Sequence, residues 1–140
     1  MKLYLAGQYR QKDELAAVAE QLRAAGHTII ARWLDEPHAP TTTLDQVDED
    51  QLCEYAIQDL EDIEACEIFV FFSVAPDVPT VRGGRHVEFG FALGSNKHVI
   101  VVGEKENIFH YLPLVITHVE DIEDLQALLA VWDRVNQPLR

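Results

Sequence analysis

The sequence predicts an α/β fold, a three-layer sandwich in which helices flank a five-stranded parallel sheet of flavodoxin-like or Rossmann-like order. Short β-prone apolar runs alternate with helical patterns along the chain, and right-handed crossovers join such units into a parallel sheet. The run "EIFVFFSV" at 67–74 is apolar almost throughout, which is typical of a central parallel strand buried on both faces. Ligands of such sheets bind beyond the carboxyl ends of the strands.

The first half of the chain predicts two strands, two helices and one long loop. "KLYLAG" at 2–7 predicts the first strand, and 11–26 carries apolar residues at helical spacing. "HTIIARWL" at 27–34 predicts the second strand, and 35–48 is a polar loop that contains prolines. We expect this long loop to cover a ligand. Residues 49–65 predict an amphipathic helix with acids on its outer face.

The second half of the chain continues the alternation after strand 67–74. Its predicted elements are a loop at 75–84, a helix that ends at Gly94, a strand at 98–103, a short turn at 106–113, a strand at 114–121 and a helix at 123–135. No repeat or low-complexity segment interrupts the pattern. We therefore expect residues 1–140 to form a single domain.

Composition and charge exclude several classes of partner. The net charge of −13 repels a nucleic-acid polymer and an anionic membrane surface, although a local basic pocket could still bind a small ligand. No apolar run approaches the ~20 residues needed to span a bilayer, and no signal-peptide pattern opens the chain, so we expect a cytoplasmic protein. Cys53 and Cys66 lack metal-ligand spacing, and we expect two reduced, structural thiols.

The stretch "RGGRHVEFGFALGSNK" at 82–97 places one acid, Glu88, in an apolar helical pattern just after a glycine pair. The amide groups of the helix N-terminus favour the ionised form of such a carboxylate. An anionic, partly dry carboxylate at a ligand-binding edge is suited to act as a nucleophile on an electrophilic carbon. The alternative is that Glu88 serves only as a helix cap or dipole partner, a common role for acids at this position.

Four loops are expected to meet at the edge of the sheet near Glu88. They are residues 7–10, the stretch after Trp33, residues 73–84 and residues 103–110. In an open parallel sheet, loops that follow the strands lie at the same edge. The sequence therefore predicts a ligand site there.

Three segments together carry a resemblance to a known family. They are "LYLAGQYR" at 3–10, "YAIQDLEDIEACEIFVFF" at 55–72 and "GGRHVEFGFALGSNKHVIVV" at 83–102. Their order and spacing resemble the nucleoside 2-deoxyribosyltransferase family, which includes related 2'-deoxynucleoside 5'-phosphate N-hydrolases. The resemblance covers most of the chain. It implies cleavage of the N-glycosidic bond of a deoxynucleoside or its 5'-monophosphate, with no metal or redox cofactor.

The resemblance implies roles for three catalytic residues. Glu88 matches the glutamate that attacks the anomeric carbon, through an oxocarbenium-like transition state, and forms a glycosyl-enzyme intermediate. Tyr4 matches the tyrosine that orients it, and its alternative reading is a core aromatic. Asp59 matches the aspartate that assists proton transfer to the leaving base, for which burial beside other acids would have to raise its pKa. Its alternative reading is the solvated acidic face of its helix, although Tyr55 and Ile63 place it in an apolar row.

The arginines bear on the choice of substrate. Arg82 stands where the transferases tend to carry an aspartate that reads the base and the hydrolases a serine that holds the 5'-phosphate. A guanidinium suits a phosphate through paired N–H donors. Arg10 matches an arginine of the hydrolases, and Arg85 adds a third charge beside a helix N-terminus. The alternative is that Arg82 and Arg85 pair with surface acids.

Seven further residues are expected to bind substrate, and a homodimer or higher homo-oligomer is expected to complete the site. The substrate-binding candidates are Gly7, Gln8, Tyr9, Trp33, Gly84, Asn107 and His110. Trp33 could equally pack at a strand end. The resemblance implies that Asn107 or His110 reaches the site of a neighbouring subunit. Phe109 and Tyr111 suit a dimer face or a cap over the core.

Three functional hypotheses follow. The first is transfer of a 2-deoxyribosyl group between bases, and the second is hydrolysis of a nucleoside 5'-monophosphate. They differ in whether a second base or water resolves the ester at Glu88. The third is a nucleotide-binding module without catalytic activity.

Overall fold

Five parallel strands form the central sheet of the computed structural model, which describes residues 1–79, 82–113 and 115–137. The strands are β1 (Lys2–Ala6), β2 (Thr28–Ile29), β3 (Ile68–Phe72), β4 (His98–Val102) and β5 (Ile116–Val119). Their order across the sheet is β2-β1-β3-β4-β5. This confirms the predicted flavodoxin-like sheet.

Four α-helices connect the strands. They are α1 (Lys12–Ala24), α2 (Glu49–Ala65), α3 (Gly84–Gly94) and α4 (Ile122–Asn136). The pair α2 and α3 packs together against β1, while Gln126 of α4 reaches Gln21 of α1. The two pairs therefore cover opposite faces of the sheet, as a sandwich requires. None of the described helices is both long and apolar enough to cross a membrane.

The core lies on both faces of β1, β3 and β4. Every residue of β3 is buried, as its continuous apolar sequence predicts for a central parallel strand. Tyr4 and Phe69 are register partners on β1 and β3, and their rings stack with centroids 5.6 Å apart. Tyr4 is therefore a core aromatic whose hydroxyl points beyond the apolar layer toward two carboxyls described below.

The second strand is much shorter than the prediction of 27–34. β2 contains only Thr28 and Ile29, and Arg32–Asp35 forms a short 3-10 helix. Two inward contacts turn the chain there: the indole N–H of Trp33 donates to the Leu5 carbonyl at 2.8 Å, and Arg32 binds Asp62 of α2. The edge strand β2 ends early because these side-chain contacts hold the chain that follows it, in place of the main-chain hydrogen bonds to β1 that would extend the strand.

The other predicted elements differ mainly at their ends. α2 begins and ends at the predicted residues, and β5 starts two residues later than predicted, with Leu114 outside the described residues. The predicted loop 75–84 contains Thr80 and Val81, which also lie outside them. Cys53 is exposed and Cys66 is buried, and both are free thiols. Burial raises the pKa of Cys66 to about 11.

Candidate functional site

A cavity of about 430 Å³ opens beyond the carboxyl ends of β1 and β3, next to Glu88. Its size lies in the range of roughly 300–1,000 Å³ that is usual for small-molecule sites. Its walls come from the turn after β1, the long loop before α2, one face of α2 and the start of α3. The lining residues are Gly7, Gln8, Tyr9, Trp33, Glu36, His38, Thr42, Thr43, Leu44, Val47, Leu52, Tyr55, Ala56, Asp59, Arg82, Gly84, Arg85 and Glu88.

The two predicted acids, Glu88 and Asp59, face this cavity from adjacent helices. Glu88 lies one turn into α3, and Asp59 lies on the side of α2 that packs against α3. Tyr4 lies beneath them on β1, and its side chain is fully buried. The Tyr4 hydroxyl forms no hydrogen bond of good geometry with a described residue, yet it is close enough for both carboxylates to raise its pKa further than burial alone. The three predicted catalytic side chains are thus gathered at one place.

Burial changes the charge state of the two acids. Desolvation, then the negative charges of Glu36 and Asp62, raise the pKa of Asp59 to about 7. Desolvation, then the charge of Asp59, raise the pKa of Glu88 to about 8, against a lowering by Tyr4. Two neighbouring carboxyls of this kind titrate as a pair, and near neutral pH the pair retains a proton.

The raised pKa of Glu88 differs from the expectation that the N-terminus of its helix favours the ionised form of this side chain. The N-terminus of α3 favours the anion, but burial and the nearby Asp59 oppose it more strongly. The expected rise in the pKa of Asp59 does occur.

Arg82 and Arg10 lie together beside the acid-containing cavity. Arg82 lines it and also lines an adjoining cavity of about 530 Å³, which contains Arg10 and the threonines at 41–43. Arg82 has a φ of 73°, a left-handed conformation that is costly for a residue with a side chain. Two guanidinium groups with hydroxyl neighbours suit an anion.

Arg85 does not act as the predicted free cation. It is buried on the cavity wall, and both terminal nitrogens of its guanidinium donate to the Glu106 carboxylate, one of them at 2.6 Å. Its guanidinium also stacks over the Phe71 ring at 4.9 Å. Arg85 therefore ties α3 to the loop after β4, and its charge is already neutralised by Glu106.

Asn107 and His110 lie outside the cavity that contains Glu88. The Asn107 carboxamide accepts from the Phe109 amide at 3.0 Å and lines a third cavity, of about 840 Å³, across α3. His110 is 1% exposed and packs between the Phe71 and Phe89 rings. His110 is a core residue, which corrects its assignment to substrate binding.

Three of the four expected loops meet at Glu88, and α3 separates the fourth, residues 103–110, from them.

The first loop and Trp33 do line the cavity as predicted. Gly7 is required there because a Cβ would collide with Leu15 in the core. Gln8 is buried, and its carboxamide donates to the Pro79 carbonyl at 3.5 Å. Trp33 is also buried, so its indole contributes the floor of the cavity while its N–H stays bonded to Leu5.

Several cavity residues from the long loop and α2 were not predicted from the sequence. They include Glu36, His38, Thr42, Thr43 and Tyr55. Tyr55 holds the His38 ring, with 3.1 Å between the hydroxyl and Nε2. The available signal was the length of the loop, which predicted a cover over a ligand but not which side chains would face it.

The arrangement suits proton transfer combined with nucleophilic attack. A carboxyl pair that holds one proton can supply an acid from one member and a nucleophile from the other. Within the described ranges, no three His, Cys, Asp or Glu side chains gather as a metal site.

No protein-family model and no curated protein sequence matches this chain. Among solved structures, a CMP N-glycosidase from Clostridium botulinum, BcmB, matches 94% of this chain and 99% of its own, at 17% identity and a TM-score of 0.58. A 2-deoxyribosyltransferase from Bacillus psychrosaccharolyticus matches 90% of each chain at 24% identity and a TM-score of 0.63. A conserved protein from Enterococcus faecalis V583 matches 94% and 98%, at 16% identity and a TM-score of 0.65.

The chain has the nucleoside 2-deoxyribosyltransferase-like fold. The predicted resemblance is confirmed at the level of the fold, over nearly the full length of each compared chain. At these identities the comparison bears on architecture, and activity has to be argued from the site.

We predict that the acid pair makes the protein less stable as the pH rises. Both carboxyls have pKa values above those of an unfolded chain, so the folded state holds the extra protons. Their contribution is greatest below about pH 4, falls as the pH rises toward 7–8, and is constant above that. Glu88→Gln should therefore raise the melting temperature at pH 8.5 relative to wild type, with a smaller difference at pH 5.

The matched control is Glu64→Gln, which removes an exposed acid from α2. It should shift the melting temperature by a similar, small amount at both pH values. A melting temperature of Glu88→Gln that is lower than wild type at pH 8.5 would contradict a buried, destabilising carboxylate.

Proposed function

We propose that the protein cleaves the N-glycosidic bond of a nucleoside 5'-monophosphate. The observation that supports this proposal is that Glu88, Asp59 and Tyr4 lie together at one cavity. Beside it is a second cavity, which is lined by Arg10 and Arg82. A nucleotide bound across the two would place its phosphate at the arginines and its anomeric carbon at the acids. The fold shared with a CMP N-glycosidase and a 2-deoxyribosyltransferase supports this choice of chemistry.

In the first step, a carboxylate oxygen of Glu88 bonds to C1' of the sugar while the bond from C1' to the base nitrogen breaks. The electron pair of that bond leaves with the base, and the Asp59 carboxyl gives its proton to the base. The product is a glycosyl ester at Glu88 with a free base. In the free protein the higher pKa of Glu88 places the pair's proton there, so the reaction requires this proton to move to Asp59 when the substrate binds. Tyr4 stabilises the Glu88 anion that results, since its interaction lowers the pKa of that carboxyl.

In the second step, water attacks C1' of the ester and its proton passes to the Asp59 carboxylate. The bond between C1' and the Glu88 oxygen breaks, and Glu88 leaves as a carboxylate. The products are a sugar 5-phosphate and the free base, and both acids return to their starting states. This sequence is the double displacement of a retaining glycosidase.

Transfer of a 2-deoxyribosyl group to a second base is the other candidate. It uses the same ester at Glu88, and a 2-deoxyribosyltransferase shares the fold. Arg82 favours the hydrolysis of monophosphates instead, because a guanidinium is suited to a phosphate and carries no acceptor for the N–H groups of a base.

We predict that Glu88→Gln abolishes cleavage, lowering kcat by about a thousandfold or more, because an amide is a poor nucleophile. The assay uses deoxynucleosides and nucleoside 5'-monophosphates, each with and without a foreign base. Free base with sugar phosphate supports hydrolysis, and a new nucleoside supports transfer. With wild-type protein, rapid quenching and mass spectrometry should find a glycosyl adduct on the peptide that contains Glu88.

The matched control Glu64→Gln, an exposed acid of α2, should retain wild-type kcat. Tight nucleotide binding without turnover by the wild-type protein would favour a binding module and contradict the proposed enzyme.

We predict that Arg82→Ala raises KM for monophosphates at least tenfold and leaves the parent nucleosides unaffected. A hydrogen bond to a charged group contributes roughly 1.5–3 kcal/mol, and 1.4 kcal/mol corresponds to a tenfold change. Steady-state kinetics on each monophosphate and its nucleoside measure the difference. Arg134→Ala, an exposed arginine of α4, serves as control. Equal losses on both substrates would place Arg82 away from the phosphate.

We also propose that the protein forms a homodimer or a multiple of it. The short 3-10 helix Ile108–Tyr111 exposes 78% of Ile108, 56% of Phe109 and 65% of Tyr111, next to the third cavity. Adjoining apolar side chains of this size are suited to an interface. This surface lies next to Asn107, the residue that the family resemblance assigns to a neighbouring site.

We predict that the wild-type protein sediments as a dimer or larger and that Phe109→Ser shifts it toward monomer. Sedimentation velocity over a range of concentrations measures this shift. Val135→Ser is the control, because it changes an exposed apolar residue on α4, away from the 3-10 helix Ile108–Tyr111. A wild-type monomer with full activity would refute the proposal.

A further inference from the structure

Glu36 is a cavity residue to which the reaction above gives no role. It follows the 3-10 helix Arg32–Asp35, lines the cavity that contains Glu88, and is partly buried. Among the described residues, its carboxyl has no ion-pair partner within 4.0 Å. The hydrogen bonds recorded for Glu36 use its main chain: its carbonyl accepts from the Lys12 ammonium, and its amide donates to the Trp33 carbonyl. The carboxyl is therefore left with free acceptor oxygens.

The main chain around Glu36 is firmly fixed. The Lys12 ammonium is buried and donates to the carbonyls of Glu36 and His38, the latter at 2.9 Å. Tyr9 donates from its hydroxyl to the same His38 carbonyl at 3.4 Å. The loop thus presents Glu36 to the cavity from a rigid support, as a residue that selects a ligand requires.

Glu36 lies at the end of the cavity where the base would leave. Glu36, Asp59, Tyr9 and Tyr55 line the same cavity. In agreement with this placement, the charge of Glu36 raises the pKa of the other three side chains. Burial raises the pKa of Glu36, and Lys12 opposes the rise. In the proposed reaction Asp59 protonates the base, and the phosphate lies at Arg82 and Arg10. The base therefore extends past Asp59 toward Glu36 and the two tyrosines.

We propose that Glu36 reads the base, and that the protein selects nucleotides whose base carries an exocyclic amino group over those that carry a carbonyl oxygen at the same position. This inference rests on the proposed function, because it takes Asp59 as the group that faces the leaving base. The residues that carry it are Glu36, its anchor Lys12, and the aromatic wall of Tyr9 and Tyr55.

The hydrogen-bonding groups on the edge of each base explain the selection. A carboxylate has acceptor oxygens and no donor, so it binds the amino group of cytosine or adenine. The carbonyl oxygen that replaces this group in uracil or hypoxanthine is a second acceptor and repels the carboxylate. The one N–H donor of the uracil edge is flanked by two such oxygens. A site built to bind an N–H group rejects the analogue that lacks it, because buried polar groups are left unpaired.

The test compares matched pairs of monophosphates, cytidine with uridine and adenosine with inosine, in both ribose and deoxyribose forms. The wild-type protein is expected to prefer the amino member of each pair at least tenfold in kcat/KM. In Glu36→Gln the side chain offers both a donor and an acceptor, so kcat/KM for the amino member of each pair should fall. The ratio of kcat/KM for the amino member to kcat/KM for the carbonyl member should decrease at least tenfold. The ratio is the informative readout, because a general structural defect lowers both members together.

Asp35→Asn is the control, since Asp35 is the adjacent acid, is exposed and does not line the cavity. It should leave the ratio unchanged. A wild-type ratio near one, or a ratio that Glu36→Gln does not alter, would overturn the assignment of Glu36 and leave cleavage itself standing. If the wild-type protein cleaves no substrate, the proposed reaction fails. In that case, calorimetry measures the binding affinity of the wild-type protein for the two members of each pair. Equal affinities would overturn the role of Glu36 in selecting the base.

Discussion

The closeness of two desolvated carboxyls, Glu88 and Asp59, is the constraint around which this site is organised. Burial raises the pKa of both carboxyls. The charge of Asp59 adds to the rise at Glu88, and the charges of Glu36 and Asp62 add to the rise at Asp59, while Tyr4 beneath them offers only a hydroxyl. The parallel packing of α2 and α3 against β1 imposes this closeness, since each helix contributes one acid on its facing side. A pair of this kind destabilises the fold at high pH, and such a cost is typical of functional sites.

The arginines of the chain show how the rest of the structure accommodates these acids. Arg32 binds Asp62, one turn from Asp59, at 2.8 Å, and Arg85 binds Glu106, so both cations near the helices are used to fix positions. Arg32 lowers the pKa of Asp59, but burial and the charges of Glu36 and Asp62 raise it by more. If Arg85 turned toward the cavity, it would lower the pKa of Glu88, and the pair would lose the proton that the proposed reaction requires. The ion pair with Glu106 therefore keeps the Arg85 charge from lowering the pKa of Glu88, and it also holds α3 in position.

The sequence predicted the sheet order and α2 because their signals are local and periodic. The acids at 59 and 88 could be singled out because each interrupts an apolar row, and apolar rows identify buried faces. The sequence left two readings of Arg85 open and did not predict the burial of His110, because the environments of both depend on distant partners: Glu106 lies 21 residues from Arg85, and Phe71 lies far from His110 in the chain. The short β2 was missed for the same reason, since the contacts of Trp33 and Arg32 that end it are tertiary. The charge state of Glu88 could not be predicted, because it depends on how closely two helices approach.

The distribution of charge limits how an anionic substrate can approach such a site. A phosphate beside the acid pair would raise both pKa values further and suppress the ionised Glu88 that attack requires. Arg10 and Arg82 line the adjoining cavity, and the residues common to both spaces are Gln8, Tyr9, Thr42, Thr43 and Arg82. A nucleotide separates its phosphate from its anomeric carbon by the length of the sugar, which matches two neighbouring spaces better than one. The left-handed backbone at Arg82 fits this arrangement, since strain of that kind persists where the surrounding structure fixes a side chain in a needed position. A chain with a net charge of −13 can therefore admit a small anion while its acid pair remains active.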